Sequence, residues 1–457
     1  MPLILSGNLA SATAGGYDVA NSCRFNDDSS DYLNRTPGSD GNRKTFTISL
    51  WIKRSTLGNV RLITCHSANN DAGFFELDID SHSLRVIAWD TNYRVTNRLL
   101  RDVGAWYHVC ISVDTTQGTA NNRIKMYING VQETSFSTTN NPSEDADTGF
   151  NQASTTRIGL ASNSTNGPFD GYMAEVVFID GLALTPTSFG EFDEDSPTIW
   201  KPKNVSGLTF GTNGFYLDFE DSSALGNDVS GNNNDFTVNN LTAIDQATDS
   251  PTNNFATLNP LDVNPSNTNT FAEGNLQLET NGVGARSTIA VENGQWYCEV
   301  KHVENTCWNG IMDMSTIITA TTNSVLLYTG GTTLYIDGSN QGSGGYGAAW
   351  SANDILMMAL DLESGTKKLY FGKNGNWWDT DAFDNANPTT GITLDNNVTY
   401  GFHSTSGSGH PVAEWNFGSP PYAISSGNTD GNGYGNFEYA VPSSYFSLCT
   451  KNLAEYG

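Results

Sequence analysis

Charge is scarce in this chain, and positive charge most of all. Lys and Arg together number 22 against 49 Asp and Glu, a formal net charge of −27, and charged residues make up only 16% of the sequence, against about 25% in an average soluble chain. A surface this acidic is a poor partner for nucleic acid, whose phosphates call for Lys and Arg. No apolar run approaches the roughly 20 residues that a helix needs to cross a bilayer, so no membrane insertion is expected. The opening Met-Pro-Leu-Ile-Leu-Ser-Gly-Asn has no basic stretch and only a short apolar one, and is not expected to act as a secretory signal. The six cysteines (Cys23, Cys65, Cys110, Cys298, Cys307, Cys449) form no CxxC pair. They are expected to be small buried hydrophobes of a protein made in reducing cytosol. The six histidines show no HxH or HExxH spacing, and His108 is expected at a core edge.

What is present is Asn, Thr, Ser and Gly, all unfavourable inside helices, and apolar residues spaced by two. Period-two runs occur at Phe46–Ile52, Phe75–Ile79, Leu84–Trp89, Tyr107–Val113 and Met173–Ile179, and again at Gln295–Val300, Ile355–Asp361, Lys368–Phe371 and Val412–Phe417. Such runs are half-buried strands. Ile124–Ile128 runs into Asn129-Gly130, and Lys368–Phe371 runs through Gly372 and Lys373 into Asn374-Gly375. Asn-Gly is the strongest short hairpin signal. A short helical turn is expected within 184–192, with Thr185 as its cap before Pro186.

At about 150 residues per domain the length allows about three units, or two larger sandwiches with linkers. The pattern predicts an all-β protein with two tandem antiparallel β-sandwiches. Its expected parts are an N-terminal arm (1–16), a first sandwich (17–200), a connector holding one strand at Phe215–Phe219 (201–265), a second sandwich (266–425) and a tail (426–457) that packs back on the second sandwich or on another subunit.

Two resemblances rest on particular residues. Phe46–Ile52, Trp106-Tyr-His-Val109, Met126–Gly130, Ile158-Gly159 and Asp170–Val176 follow the order of laminin G-like, concanavalin A-type sandwiches, over roughly 17–190. Glu273–Leu276, Gly294–Val300, Asp354–Asp361, Lys368–Gly375, Tyr400-Gly-Phe402 and Glu414–Phe417 resemble a SPRY domain, with the usual Gly-rich run replaced by Ile311-Met-Asp-Met-Ser315. That departure counts against the family's loop-borne peptide site. The pair, joined by Thr252–Phe255 and Leu258–Asp262, looks like virion appendages of marine bacteriophages, of the tail-fibre or head-fibre kind. The resemblance implies synthesis in the host cytoplasm, display on the virion surface, attachment to other virion proteins through the arm, a homotrimer and a host-surface glycan as ligand. A carbohydrate-active enzyme or free carbohydrate-binding protein of the same fold, and a decoration protein without ligand, are the alternatives.

Glu76-Leu-Asp-Ile-Asp80 is similar to the Glu-x-Asp-x-Glu strand of laminarinase-like hydrolases. Residues 76, 78 and 80 share one strand face, and retaining hydrolysis needs two carboxyls about 5–5.5 Å apart. The last acid here is Asp rather than Glu. The expectation is therefore no catalysis and no catalytic residue, with the three acids forming a solvated outer face. Laminin G-like sandwiches often hold calcium at a loop rim. Asp27, Asp28 and Asp170 are the candidate ligands, with 218–235 as a further oxygen-rich stretch that lacks EF-hand spacing. Calcium is the one cofactor this pattern admits. Trp308, Trp350, Trp377 and Trp378 are the candidate ligand-binding residues. Successive side chains on a strand point to opposite faces, so one of Trp377 and Trp378 is expected to be exposed, or buried against another subunit. Gly342–Gly347 is expected to be a hairpin tip, since it lacks the Lys and helix of a phosphate loop.

Overall fold

The computed structural model describes residues 16–304, 306–318, 321–330, 333–342, 350–406 and 409–457. Residues 1–15 of the expected arm and 343–347 of the expected hairpin tip lie outside them. The chain forms two compact units that divide between Thr252 and Asn253.

The first unit is a sandwich of two antiparallel sheets. One runs Val131–Gln132, Ile124–Ile128, Trp106–Asp114, Thr45–Arg54, Gly171–Asp180, Ser22–Phe25, Gln246–Ala247, with Phe215–Leu217 also paired to Gly171–Asp180. The other runs Phe136–Thr139, Asn92–Leu99, Ser83–Ile87, Phe74–Asp80, Val60–His66, Thr156–Ile158, Tyr32–Arg35, Thr237–Asn239. Alternation sends Ile48, Leu50 and Ile52 from the first sheet and Phe75, Leu77 and Ile79 from the second into one core. The stretch 201–252 is not a free connector, because its three short strands complete both sheets of this sandwich. Pro186 opens a single 3-10 turn, Pro186–Ser188, while the Thr185 side chain does not cap it. It bonds the Thr187 hydroxyl at 2.8 Å instead.

The second unit is also an antiparallel sandwich, except for one parallel pair. Its smaller sheet runs Leu258–Val263, Ala285–Val291, Tyr400–Thr405, Trp308–Asp313, Ser324–Tyr328, Thr333–Ile336, Ser339–Asn340. Its larger sheet is centred on Gln295–Glu304, Ile355–Asp361 and Lys368–Lys373. The tail packs on this unit: Phe446–Ser447 pairs in parallel with Gln295–Glu304, and a short helix follows at Thr450–Tyr456. Both Asn-Gly turns take the positive φ pair of a tight hairpin, at Asn129 (49°) and Gly130 (76°) and at Asn374 (49°) and Gly375 (89°). A Cβ at Gly130 would also strike the Trp200 ring at 2.2 Å. The six cysteines are buried and unbonded to one another.

Candidate functional site

The strand Phe74–Asp80 sits centrally in its sheet. Leu77 and Ile79 enter the core, which leaves Glu76, Asp78 and Asp80 on the opposite face. That face is not the solvated surface expected of it. Asp78 is fully buried and Glu76 is 3% exposed, because two arginines from the flanking strands lie against them. Arg85, directly opposite Asp78, forks onto it with Nε–Oδ1 at 2.8 Å and also reaches Asp80 Oδ2 at 3.1 Å. Arg61 Nε stands 2.9 Å from Glu76 Oε1. Burial, reinforced by the neighbouring Asp78 charge, pushes the Glu76 pKa up to about 8. Arg85 holds Asp78 and Arg61 faces Glu76, and only Asp80 retains appreciable contact with solvent.

Among the described residues, no three His, Cys, Asp or Glu side chains are grouped as a metal would require. Asp27 and Asp28 lie in the turn after Ser22–Phe25, and burial followed by the Asp28 charge raises the Asp27 pKa. Asp170 is buried, and its backbone carbonyl accepts the Ser55 N–H at 3.0 Å. In 218–235, Asp228 is consumed by the backbone N–H groups of Tyr216, Ser230 and Asn234 and the Ser230 hydroxyl, at 2.8–2.9 Å. These carboxylates hold loops. Millimolar calcium or EGTA is therefore expected to leave the thermal midpoint unchanged, as differential scanning fluorimetry would read it.

Three of the four tryptophans are not available to a ligand. Trp350, Trp377 and Trp378 are 8%, 2% and 4% exposed. Alternation does send Trp377 and Trp378 to opposite faces, but both faces of the sheet are covered. Trp377 joins Tyr297, Met357, Tyr370, Phe437 and Tyr445 in a cluster that the tail completes. Trp378 packs edge-on against Phe383, which also meets Trp350. The tail is held there by Glu299, whose carboxylate accepts the N–H groups of Glu438 at 3.0 Å and Tyr439 at 2.8 Å and the Tyr297 hydroxyl at 2.9 Å. Trp377→Ala is expected to cost about 3–5 kcal/mol, measured as a lowered urea midpoint. Trp308 alone of the four stays partly exposed, stacked on Tyr328 with centroids 4.4 Å apart.

His108 is fully buried rather than at a core edge. Its Nδ1 accepts the Trp200 indole N–H at 3.0 Å and its Nε2 faces the Ser49 hydroxyl at 2.8 Å. Burial lowers its pKa to about 3, so the ring is neutral. The composition of the carboxylate site was partly open to sequence reasoning. The Asp80–Ser83 hairpin end fixes Arg85 opposite Asp78, whereas a register shift between Arg61 and Ile63 hides the Arg61 contact from simple counting.

Residues 27–188 match the family model of the concanavalin A-like lectin/glucanases superfamily. The match covers most of the first sandwich, including the carboxylate strand. Comparison with curated proteins returns no match. Among solved structures, the chain is similar to a protein of Bacteroides ovatus to which carbohydrate binding has been ascribed. The two are 20% identical over 50% of this chain and 60% of that one, with a TM-score of 0.34. It is also similar to domains LG4-5 of the mouse laminin alpha1 chain, 11% identical over 96% of this chain and 90% of that one, with a TM-score of 0.30. The SPRY domain of human HERC1 is 13% identical over 35% of this chain and 96% of that domain, with a TM-score of 0.26.

Proposed function

We propose that the protein is a non-enzymatic appendage of a bacteriophage particle, a fibre or decoration protein whose lectin-type sandwiches attach to host-surface glycans. The observation that carries the non-enzymatic part is the state of Glu76 and Asp80, the first and last acids of the strand. A hydrolase needs its two carboxyls open to the glycosidic bond, and here Glu76 is buried against Arg61 while Asp80, which stands where the similar hydrolases have Glu, is held by Arg85. The lectin/glucanase match over 27–188 supports a glycan as ligand. The ordered laminin G-like and SPRY-like motifs support the appendage role. In this reading residues 1–16 bind other virion proteins, the chain assembles as a homotrimer, and it is made in the host cytoplasm and displayed on the particle surface.

One observation favours a hydrolase instead. Burial pushes the Glu76 pKa up to about 8, the direction a general acid needs. The buried Arg85–Asp78 pair beside it weighs against a hydrolase, because opening it would strand charge in an apolar setting. Immunogold labelling of purified particles tests the appendage role. Label at head or tail supports it, and label confined to the soluble lysate overturns it.

A further inference from the structure

The smaller sheet of the second unit carries a group of aromatic rings that belongs to no core cluster among the described residues. Trp308 lies directly opposite Tyr328 on the neighbouring strand, and Tyr335 comes from the strand beyond. The Trp308 and Tyr328 rings stack at 4.4 Å with 22° between planes, and Tyr335 meets the indole edge-on at 6.0 Å. Their strands send Ile311, Val325, Leu327 and Leu334 into the core from the other face. All three rings remain partly exposed. The Trp308 Nε1 hydrogen has no partner among the described residues, although a buried indole N–H normally finds one. The Tyr328 hydroxyl lies 3.1 Å from that of Thr306, and Asn340, opposite Tyr335, is exposed.

The charge pattern narrows the ligand. By register, this face takes residues 308, 310 and 312, then 324, 326 and 328, then 333 and 335, then 340, and 401, 403 and 405 from the strand on the other side. None of these is Asp, Glu, Lys or Arg; on the next strand Arg286 lies opposite His403, but it is buried and paired with Asp262 at 2.8 Å. A patch without a free cation in a chain of net charge −27 repels anionic sugars at long range and offers nothing positive to hold them. Partly exposed aromatic rings beside the exposed Asn340 amide suit the C–H face and hydroxyls of an uncharged pyranose.

We infer that the Trp308–Tyr328–Tyr335 group is a binding subsite for a neutral glycan, with the indole as stacking platform and the exposed Asn340 as hydrogen-bond donor to sugar hydroxyls. This rests on the glycan-attachment reading and moves the contact from the Trp377–Trp378 pair to a different sheet. Neutral gluco-, manno- and galacto-hexasaccharides, with a galacturonate hexasaccharide as the anionic comparator, are titrated into the full chain by calorimetry. At least one neutral probe is expected to bind more tightly than the uronate. Trp308→Ala is expected to weaken it by about tenfold or more, Trp308→Phe by less, and Phe192→Ala, an exposed ring of the first unit, not at all. Circular dichroism verifies that each variant is folded. If Trp308→Ala unfolds the chain, Trp308→Phe and Asn340→Ala carry the test. Preference for the uronate, full affinity in a folded Trp308 variant, or no neutral binding at millimolar sugar would each overturn the subsite. Sugar binding by a protein that immunogold does not find on particles would overturn the appendage role and leave the subsite standing.

Discussion

The folded chain is expected to lose stability as pH rises from about 6.5 to about 8, above the range in which the buried, neutral His108 acts in the opposite direction. Burial raises the pKa of Glu76 to about 8, of Glu175 to about 8 and of Glu299 to about 7, from an ordinary value of 4.5. Between those limits the folded state holds protons that the unfolded chain has released, so raising pH draws the equilibrium toward unfolding. Below the ordinary value both states are protonated, and above the raised values both are ionised, so the slope vanishes at each end. Each carboxyl contributes at most about 1.4 kcal/mol per pH unit inside its window. Glu76 and Glu175 lie in the first unit and Glu299 in the second, so both unfolding transitions should move. Thermal midpoints measured at intervals across this range check the prediction. Glu76→Gln and Glu175→Gln should each flatten the first transition, and Glu299→Gln the second. A midpoint that is level or rises between about pH 6.5 and 8 would mean that these carboxyls are ionised in the folded protein.

The second large effect is expected at Arg85. Its guanidinium is the direct partner of a fully buried carboxylate. Removing one member of a buried ion pair leaves the other uncompensated and costs about 3–5 kcal/mol. Arg85→Met should therefore lower the midpoint of the first unit strongly. The double variant Arg85→Met/Asp78→Leu should recover most of the loss, because it removes the stranded charge as well. Chemical denaturation of the four proteins gives the coupling directly. A double variant no better than Arg85→Met would show that packing rather than charge makes Arg85 necessary.

The strands that carry the site were legible because alternation is a local property. Phe74–Asp80 and Ile355–Asp361 form where period two places them, and both Asn-Gly hairpins turn where the pair occurs. What failed was whatever depended on distant residues. The exposure inferred for Trp377 or Trp378 assumed a sheet with one open face, but Phe437 and Tyr445 cover that face from some sixty residues away, held by Glu299. The solvated acids inferred at 76, 78 and 80 ignored arginines that strand pairing brings alongside. The unit boundary lies at Thr252 because strands as short as Gln246–Ala247 join a sheet without showing any periodicity. Asp27, Asp28 and Asp170 offer oxygens in the sequence, but the burial of Asp170 depends on strands distant in the chain.

On the proposed function this lectin-type sandwich binds glycan without cleaving it, with Glu76 buried against Arg61. A time course by NMR of the purified chain with laminarin, agar and carrageenan reads contact and cleavage in one sample. No new reducing-end signals are expected at any pH, with saturation transfer to any neutral polysaccharide that is bound. New reducing-end signals that disappear in Glu76→Gln would contradict that reading and make Glu76 catalytic.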